Sequence, residues 1–382
     1  MVKKRLKKLR KSYESYLKFI AKLLLTATPL AILFLIIMIF LEVEGFKDEV
    51  LKLSELSDES QTFNSLFLKD FLPEFLSKIS YLKILSGFLL LSLFILKRRE
   101  IFKRYVPAVF ISGGILGLAK PLLEGFLQVE NLSKTASEIG QKVALGEETQ
   151  NFKDYFLKIF LYNYSLNLFH LFIFLGFLSL GIYLISKFER REFAEKICTS
   201  IFLTAAIFGI LYLGLNVYNE SKVTQTLLEI YREYEDAGQF EEGTVAKFIA
   251  TSVVPQYLKF ASDFLLYLGF GFLAFFYMTS KTSFRRYSGI SIFFGASFAT
   301  FWKLLNLGKA AQLLRNERFD AINAISQGEP FQTQIGSKTI ELTSMKGFYI
   351  EKFAATYLDE ISKLLIFFAL IILGIYVYRR ET

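Results

Sequence analysis

The feature that most constrains this chain is a series of eight long apolar runs. A membrane-spanning helix needs about 20 predominantly apolar residues. The runs cover residues 19–41, 81–96, 105–127, 164–186, 197–218, 257–279, 288–308 and 361–378. The second run is short, and we expect its helix to begin about one turn earlier, within Phe75–Ser80. The pattern predicts an all-α integral membrane protein with eight transmembrane helices.

Composition supports this class and excludes several kinds of site. Hydrophobic residues make up 53% of the 382 residues and charged residues only 21%, which is more apolar surface than a soluble fold can hide. The single His and the single Cys exclude a Cys/His zinc cluster and an internal disulfide. We find no paired nucleophile and base and no phosphate-binding loop. We therefore expect no enzyme, no metal and no cofactor.

The charges of the connecting segments predict the orientation. Segments 1–18, 97–104, 187–196, 280–287 and 379–382 carry 22 Lys/Arg and 6 Asp/Glu. Segments 42–80, 128–163, 219–256 and 309–360, here called the arms, carry 17 Lys/Arg and 28 Asp/Glu. Positive residues resist translocation, so we expect both termini to be cytoplasmic and the arms extracytoplasmic, in a cell membrane. The net charge of +9 then reflects membrane orientation and gives no reason to expect nucleic-acid binding.

The chain also resembles itself at intervals of about ninety residues. Each unit has a basic segment, a helix leading into an arm, the arm, and a helix returning from it. In two of the helices that lead into an arm, the stretch that begins at Ser200 resembles the one that begins at Ser291, and three returning helices share the sequence Gly-Phe-Leu. We predict four tandem hairpin repeats, residues 19–96, 97–186, 187–279 and 280–382, preceded by a basic tail, residues 1–18. The alternative is that any helices rich in Phe and Leu resemble each other.

The arms contain patterns of regular structure. Leu227, Ile230 and Tyr234 recur at helical spacing, and Gly146, Gly238 and Gly328 each follow such a stretch, which suits a helix end. We therefore predict a mostly helical extracytoplasmic layer. The segment Pro330–Leu342 is predicted to form a short β-hairpin instead.

Polar residues inside the predicted spans form the candidate site. At 1.5 Å rise per residue they fall at one depth, in the half of the membrane nearer the arms. Lys120 and Glu124 can pair along one helix, and Asp263 can meet Lys303 across neighbouring helices. Pro121 is expected to kink its helix, and the kink either frees a backbone carbonyl beside the polar layer or is simply tolerated by close packing. The candidate residues are Lys120, Glu124, His170, Tyr212, Asp263 and Lys303.

Two interpretations of this layer remain open. It is either a pocket open to the arm side, for an anionic solute or a lipid headgroup, or a set of ion pairs that fix helix packing. The favoured function is a non-enzymatic membrane protein that serves assembly, with membrane lipids and an extracytoplasmic protein as partners. The alternative is a transporter or lipid-handling protein. We expect no broken helices at the midplane, where secondary transporters bind substrate. The oligomeric state is left open.

Overall fold

The architecture is that of a multi-pass, all-α membrane protein. The computed structural model describes residues 2–54, 66–98, 100–144, 156–186, 188–240, 243–335 and 338–379. Of the residues described, 93% are helical, and these ranges contain eight helices long and apolar enough to cross a membrane. Each predicted span lies inside one of these helices, except that 164–186 extends one residue past Ile185. The prediction of eight spans is confirmed by length and composition.

Helices that lead into the arms alternate with helices that return from them. The elements are α1 (Val2–Ser54), α2 (Leu72–Lys97), α3 (Glu100–Gly117), α4 (Ala119–Ala144), α5 (Tyr162–Ile185), α6 (Phe188–Asp236), α7 (Thr244–Phe248), α8 (Val254–Thr279), α9 (Thr282–Ser326), β1 (Phe331–Ile335), β2 (Lys338–Leu342), α10 (Met345–Gly347) and α11 (Ala355–Arg379). The leading helices are α1, α3 with α4, α6 and α9, and the returning helices are α2, α5, α8 and α11.

A π-helical segment precedes every returning helix. Single π-helical turns are rare and concentrate at strained or functional positions. In α2 and α8 the second residue is a buried proline, Pro73 or Pro255. Proline lacks the N–H of a regular helical bond, so the irregular turn before it accommodates its ring. The π segments are Leu66–Phe71, Phe156–Leu161, Ile249–Val253 and Phe348–Ala354.

The returning helices bury small residues in a common pattern. Intervals of 7, 7 and 5 residues separate them in α2, α8 and α11. Seven residues are about two helical turns, so the first three in each set share one face. Small side chains let helix backbones approach closely in lipid. The sets are Pro73, Ser80, Gly87 and Ser92 in α2; Pro255, Ser262, Gly269 and Ala274 in α8; and Ala355, Ser362, Ala369 and Gly374 in α11; α5 has Gly176 and Gly181 at the last two positions.

Two of these glycines form matching contacts with a leading helix. A Cβ on Gly181 would lie 2.9 Å from the carbonyl oxygen of Pro107, and one on Gly374 would lie 2.9 Å from that of Gly289. The two leading-helix residues are 182 residues apart and the two glycines are 193 residues apart, so a contact of the same kind recurs at close to twice the ninety-residue interval. At both crossings only a hydrogen fits between the helices.

The contacts divide the chain into two compact units. The first comprises Met1–Val106 and Ala299–Leu373, and the second Pro107–Phe298 and Gly374–Thr382. In the first unit, Leu314, Ala321, Leu342 and Phe348 form a small core around the β-hairpin of the fourth arm. In the second, α5, α6 and α8 pack through aromatic rings and small residues, with Gly176 against the ring of Phe202.

The arms largely follow the predictions. Helices α6 and α9 continue well beyond their predicted spans. Each ends two residues before a glycine, Gly238 or Gly328, whose positive φ angle of 68° or 80° suits glycine. Gly146 lies outside the described residues. The expected β-hairpin is present, with antiparallel pairing of Phe331 to Leu342.

The leading helix of the second hairpin is interrupted, which differs from the unbroken helices we expected. Helix α3 ends at Gly117 and α4 begins at Ala119. At the break the N–H of Leu118 is shared between the carbonyls of Gly114 (3.2 Å) and Ile115 (3.3 Å). Pro121 has no N–H to donate to the Gly117 carbonyl. The irregularity expected at Pro121 therefore begins three residues earlier.

Candidate functional site

The candidate residues do not all belong to one compact unit. Lys303 lies in the first unit, and the other five candidates lie in the second. The contacts within each unit define its own chemistry.

Lys303 forms a buried ion pair with a residue of a returning helix. Its side chain is only 4% exposed, and its Nζ donates to both carboxylate oxygens of Glu360, at 2.9 and 3.0 Å. The ammonium also lies 4.5 Å from the ring centroid of Trp302. We expected Asp263 as its partner, but Glu360, which the sequence analysis assigned to an arm, occupies that role. A buried charge with good geometry to a counter-charge is what a packing role requires.

A similar ion pair joins α1 to α2. Lys78 Nζ donates to Glu42, and both side chains are largely buried. Lys78 stands two residues before the buried Ser80, as Glu360 stands two residues before the buried Ser362. The same position of two returning helices thus carries a charge that binds a leading helix, with the signs reversed. The sequence analysis missed Glu42, Lys78 and Glu360, although this shared position was a usable signal.

The fourth arm contains another such pair. Lys352 Nζ lies 3.2 Å from Glu317 and donates to the carbonyl of Gln334 as well. It ties the segment before α11 to α9 and to the β-hairpin. The sequence analysis missed Lys352 and Glu317 too, because pairing across distant segments leaves no local pattern.

In the second unit, Lys120 and Glu124 pair along α4 as predicted, at 3.6 Å. Gln128 follows at the same four-residue spacing, so the three side chains share one helix face. Within the described chain the Oε1 atom of Gln128 is buried and has no hydrogen-bond partner.

Helix α5 places polar residues opposite this face. A Cβ on Gly114 would meet Leu178, and one on Gly117 would meet Phe174, which sets the two helices antiparallel. The next turns toward the arm bring Asn163, Asn167 and His170 opposite α4 by helical periodicity. We call this set the hairpin-2 polar face: Lys120, Glu124, Gln128, Asn163, Asn167 and His170.

Asn167 is the most buried member of the hairpin-2 polar face. It is 5% exposed, and among the described residues its Nδ2 finds no hydrogen-bond acceptor. We did not include Asn167, Gln128 or Asn163 among the candidate residues predicted from the sequence. Their four-residue and three-residue spacings with the candidates were the available signal.

Tyr212 and Asp263 belong to a separate polar group on the other side of α5. The hydroxyl groups of Tyr162 and Tyr212 lie 3.2 Å apart, and the Asp263 carboxylate interacts electrostatically with Tyr212 and Tyr267. Tyr162 and Asn167 are five residues apart, about 140° around the helix, so they face different neighbours. The predicted layer of polar residues therefore consists of three separate groups: the buried ion pair of Lys303, the hairpin-2 polar face, and a group of tyrosines with the Asp263 carboxylate.

The part of α6 that lies beyond its predicted span exposes a row of apolar side chains. Val223, Leu227, Ile230 and Tyr234 follow intervals of 4, 3 and 4 residues and are 38–55% exposed. The flank next to this row is engaged, since Tyr231 stacks on Phe248 with ring centroids 4.5 Å apart. We call this row the α6 stripe.

No group of three or more His, Cys, Asp or Glu side chains able to hold a metal ion occurs within the described ranges. Comparison of the chain with protein-family models, curated proteins and solved structures gives no match.

Proposed function

We propose that this protein is a non-enzymatic protein of the cell membrane whose extracytoplasmic arms bind a partner protein. It consists of four tandem helical hairpins with both termini in the cytoplasm. The excess of positive charge in the short connecting segments supports this orientation. The recurring π segments and the shared spacing of buried small residues support the tandem arrangement.

The α6 stripe carries the proposal of partner binding. Its residues begin five positions beyond the predicted span, so lipid tails do not account for their exposure. Apolar side chains that form a continuous row on a helix are the anchors by which a helix binds a groove or another helix. Apolar surface exposed in this way marks an interaction site.

The charges around the stripe define the partner. Helical periodicity places Glu220 and Glu233 at its borders and Arg232 on the far side, about two and a half turns from Val223. Lys222 lies on the same border as Glu233, and its ammonium lies over the Tyr218 ring, 4.7 Å from the centroid. The stripe therefore offers an apolar strip between carboxylates, which suits a basic amphipathic helix.

The test is photo-crosslinking in the native host. A photoreactive residue is placed at Leu227 in the full-length protein, with Arg232 on the opposite face as the matched control. We expect one discrete adduct from position 227 and none from position 232. The change Glu220→Lys together with Glu233→Lys should lower the yield of that adduct at least fivefold, because it repels a basic partner.

Three results would overturn the proposal. The first is the absence of any adduct from position 227. The second is an adduct whose mass equals two copies of this chain, which would make the stripe a homo-oligomer interface. The third is an adduct whose yield the charge reversal leaves unchanged, since the partner would then not be basic.

A further inference from the structure

We propose that the hairpin-2 polar face binds a zwitterion that carries a phosphate and a primary ammonium group. This chemistry is shared by an aminophospholipid headgroup and by free phosphoethanolamine. The inference goes beyond partner binding at the arms and concerns a different part of the molecule, so either can fail without the other.

Two buried amide atoms indicate that this face binds a ligand. Asn167 Nδ2 is an unpaired donor, and Gln128 Oε1 is an unpaired acceptor, within the described chain. Buried polar groups are retained when they have a hydrogen-bond partner, because leaving them unpaired lowers stability. An ethanolamine phosphate supplies both partners, since its phosphate oxygens accept and its ammonium donates.

A comparison with the fourth hairpin shows that the second has no carboxylate at the matching position of its returning helix. The sequence Lys-x-Leu-x-x-Gly begins at Lys120 in the second hairpin and at Lys303 in the fourth. Lys303 forms an ion pair with Glu360, and Glu360 lies nine residues before the buried Ala369. The residue nine positions before Gly176, the corresponding buried position of α5, is Asn167. A neutral amide thus stands where the fourth hairpin has the counter-charge.

The charges of the face select a zwitterion over an anion. Lys120 and Glu124 contribute one positive and one negative charge, so a simple anion would meet Glu124 as well as Lys120. A ligand with both signs satisfies each of them. Both side chains are partly exposed, which leaves them accessible.

The order of the groups along α4 matches a lipid in the leaflet on the arm side. Lys120 lies deepest, and Glu124 and Gln128 follow toward the arm. In an aminophospholipid the phosphate is nearer the hydrocarbon and the ammonium nearer the water. The phosphate therefore aligns with Lys120 and Asn167, and the ammonium aligns with Glu124 and Gln128.

The test uses the full-length protein in detergent, titrated with short-chain lipids and followed by native mass spectrometry and melting temperature. We expect phosphatidylethanolamine to bind at least tenfold more tightly than phosphatidylcholine, whose ammonium has no N–H, and than phosphatidylglycerol, which has no ammonium. Asn167→Leu and Gln128→Leu should each weaken this binding at least tenfold. Asn306→Leu, a half-buried amide in the fourth hairpin, should not change it.

Stability without ligand separates binding from packing. Asn167→Leu removes an unpaired buried donor, so the melting temperature of the lipid-free protein should stay the same or rise. Only the stabilisation by added phosphatidylethanolamine should disappear. A lower lipid-free melting temperature in this variant would show that the amide serves packing, and would overturn the proposal.

The remaining measurements identify the source of the zwitterion. Protection by phosphoethanolamine as well as by the lipid shows a site that accepts the free solute, and protection by the lipid alone shows a headgroup site. Binding of neither, or binding that Asn167→Leu and Gln128→Leu leave intact, overturns the proposal.

Discussion

The buried cation Lys303 pairs with one carboxylate, that of Glu360. If Glu360 becomes Gln, the shape is kept but the ammonium is left uncompensated in a buried site. Breaking a buried pair in this way costs about 3–5 kcal/mol. We expect Glu360→Gln to lower the free energy of unfolding by about that amount, measured by denaturant or thermal unfolding in detergent.

The exposed pair Lys196–Glu192 is the matched control for that measurement. Its atoms are also 2.9 Å apart, but its side chains are 62% and 82% exposed. Because water screens such pairs, Glu192→Gln should leave the unfolding curve unchanged. The double variant Lys303→Met with Glu360→Leu, which replaces both charges with apolar groups, should recover most of the loss. An equal loss in Glu192→Gln and Glu360→Gln would contradict the packing role of Lys303.

For individual residues, the sequence predicts ion pairs within one helix but does not predict ion pairs between helices. Lys120 and Glu124 could be predicted because four residues separate them on one face. The partner of Lys303 could not, since choosing between Asp263 and Glu360 requires the register of two helices. That register depends on where small residues let the backbones approach, which becomes visible only in three dimensions.

Among the elements, the close crossings at Gly181 and Gly374 make a specific prediction. A Cβ at either position would lie within 3.0 Å of backbone atoms of a leading helix, which cannot move aside as a flexible side chain can. Gly181→Ala and Gly374→Ala should therefore destabilise the protein by about 1–3 kcal/mol each. The measurement is the melting temperature of the purified variants in one detergent.

Gly214 and Gly308 provide the controls for this substitution. An added Cβ at either of them has no atom within 4 Å, and both lie inside helices. Alanine is the better helix former by about 1 kcal/mol, so Gly214→Ala and Gly308→Ala should be neutral or stabilising. A similar loss in all four variants would show that helix flexibility, and not the close crossing, sets the cost.

The spans could be predicted because length and apolarity alone define them. The β-hairpin of the fourth arm could be predicted as well, from Pro330 and the β-forming residues after it. The π segments and the break at Leu118 could not, because they arise from how a returning or leading helix fits its neighbours. The π segments and the break lie close in sequence to the polar residues of the candidate site. For this reason the sequence predicted that site only in part.

For the whole molecule, orientation is the property on which both proposals depend. The partner-binding arms and the leaflet of the lipid site follow from basic connecting segments in the cytoplasm. Hydrophobicity is the same in either orientation, so the charge asymmetry alone decides between them. A measurement of sidedness therefore tests the step from sequence to function directly.

Cysteine labelling of intact cells supplies that measurement. In a Cys198→Ser background, Ser326→Cys places a thiol at the end of α9 in the fourth arm, and Ser280→Cys places one in the connection between α8 and α9. Both serines are exposed. A membrane-impermeant maleimide should label position 326 in intact cells and label position 280 only after the cells are opened, because translocation of the basic segments is unfavourable. Labelling of position 280 in intact cells, with position 326 protected, would reverse the topology and move both proposed binding surfaces to the cytoplasmic side.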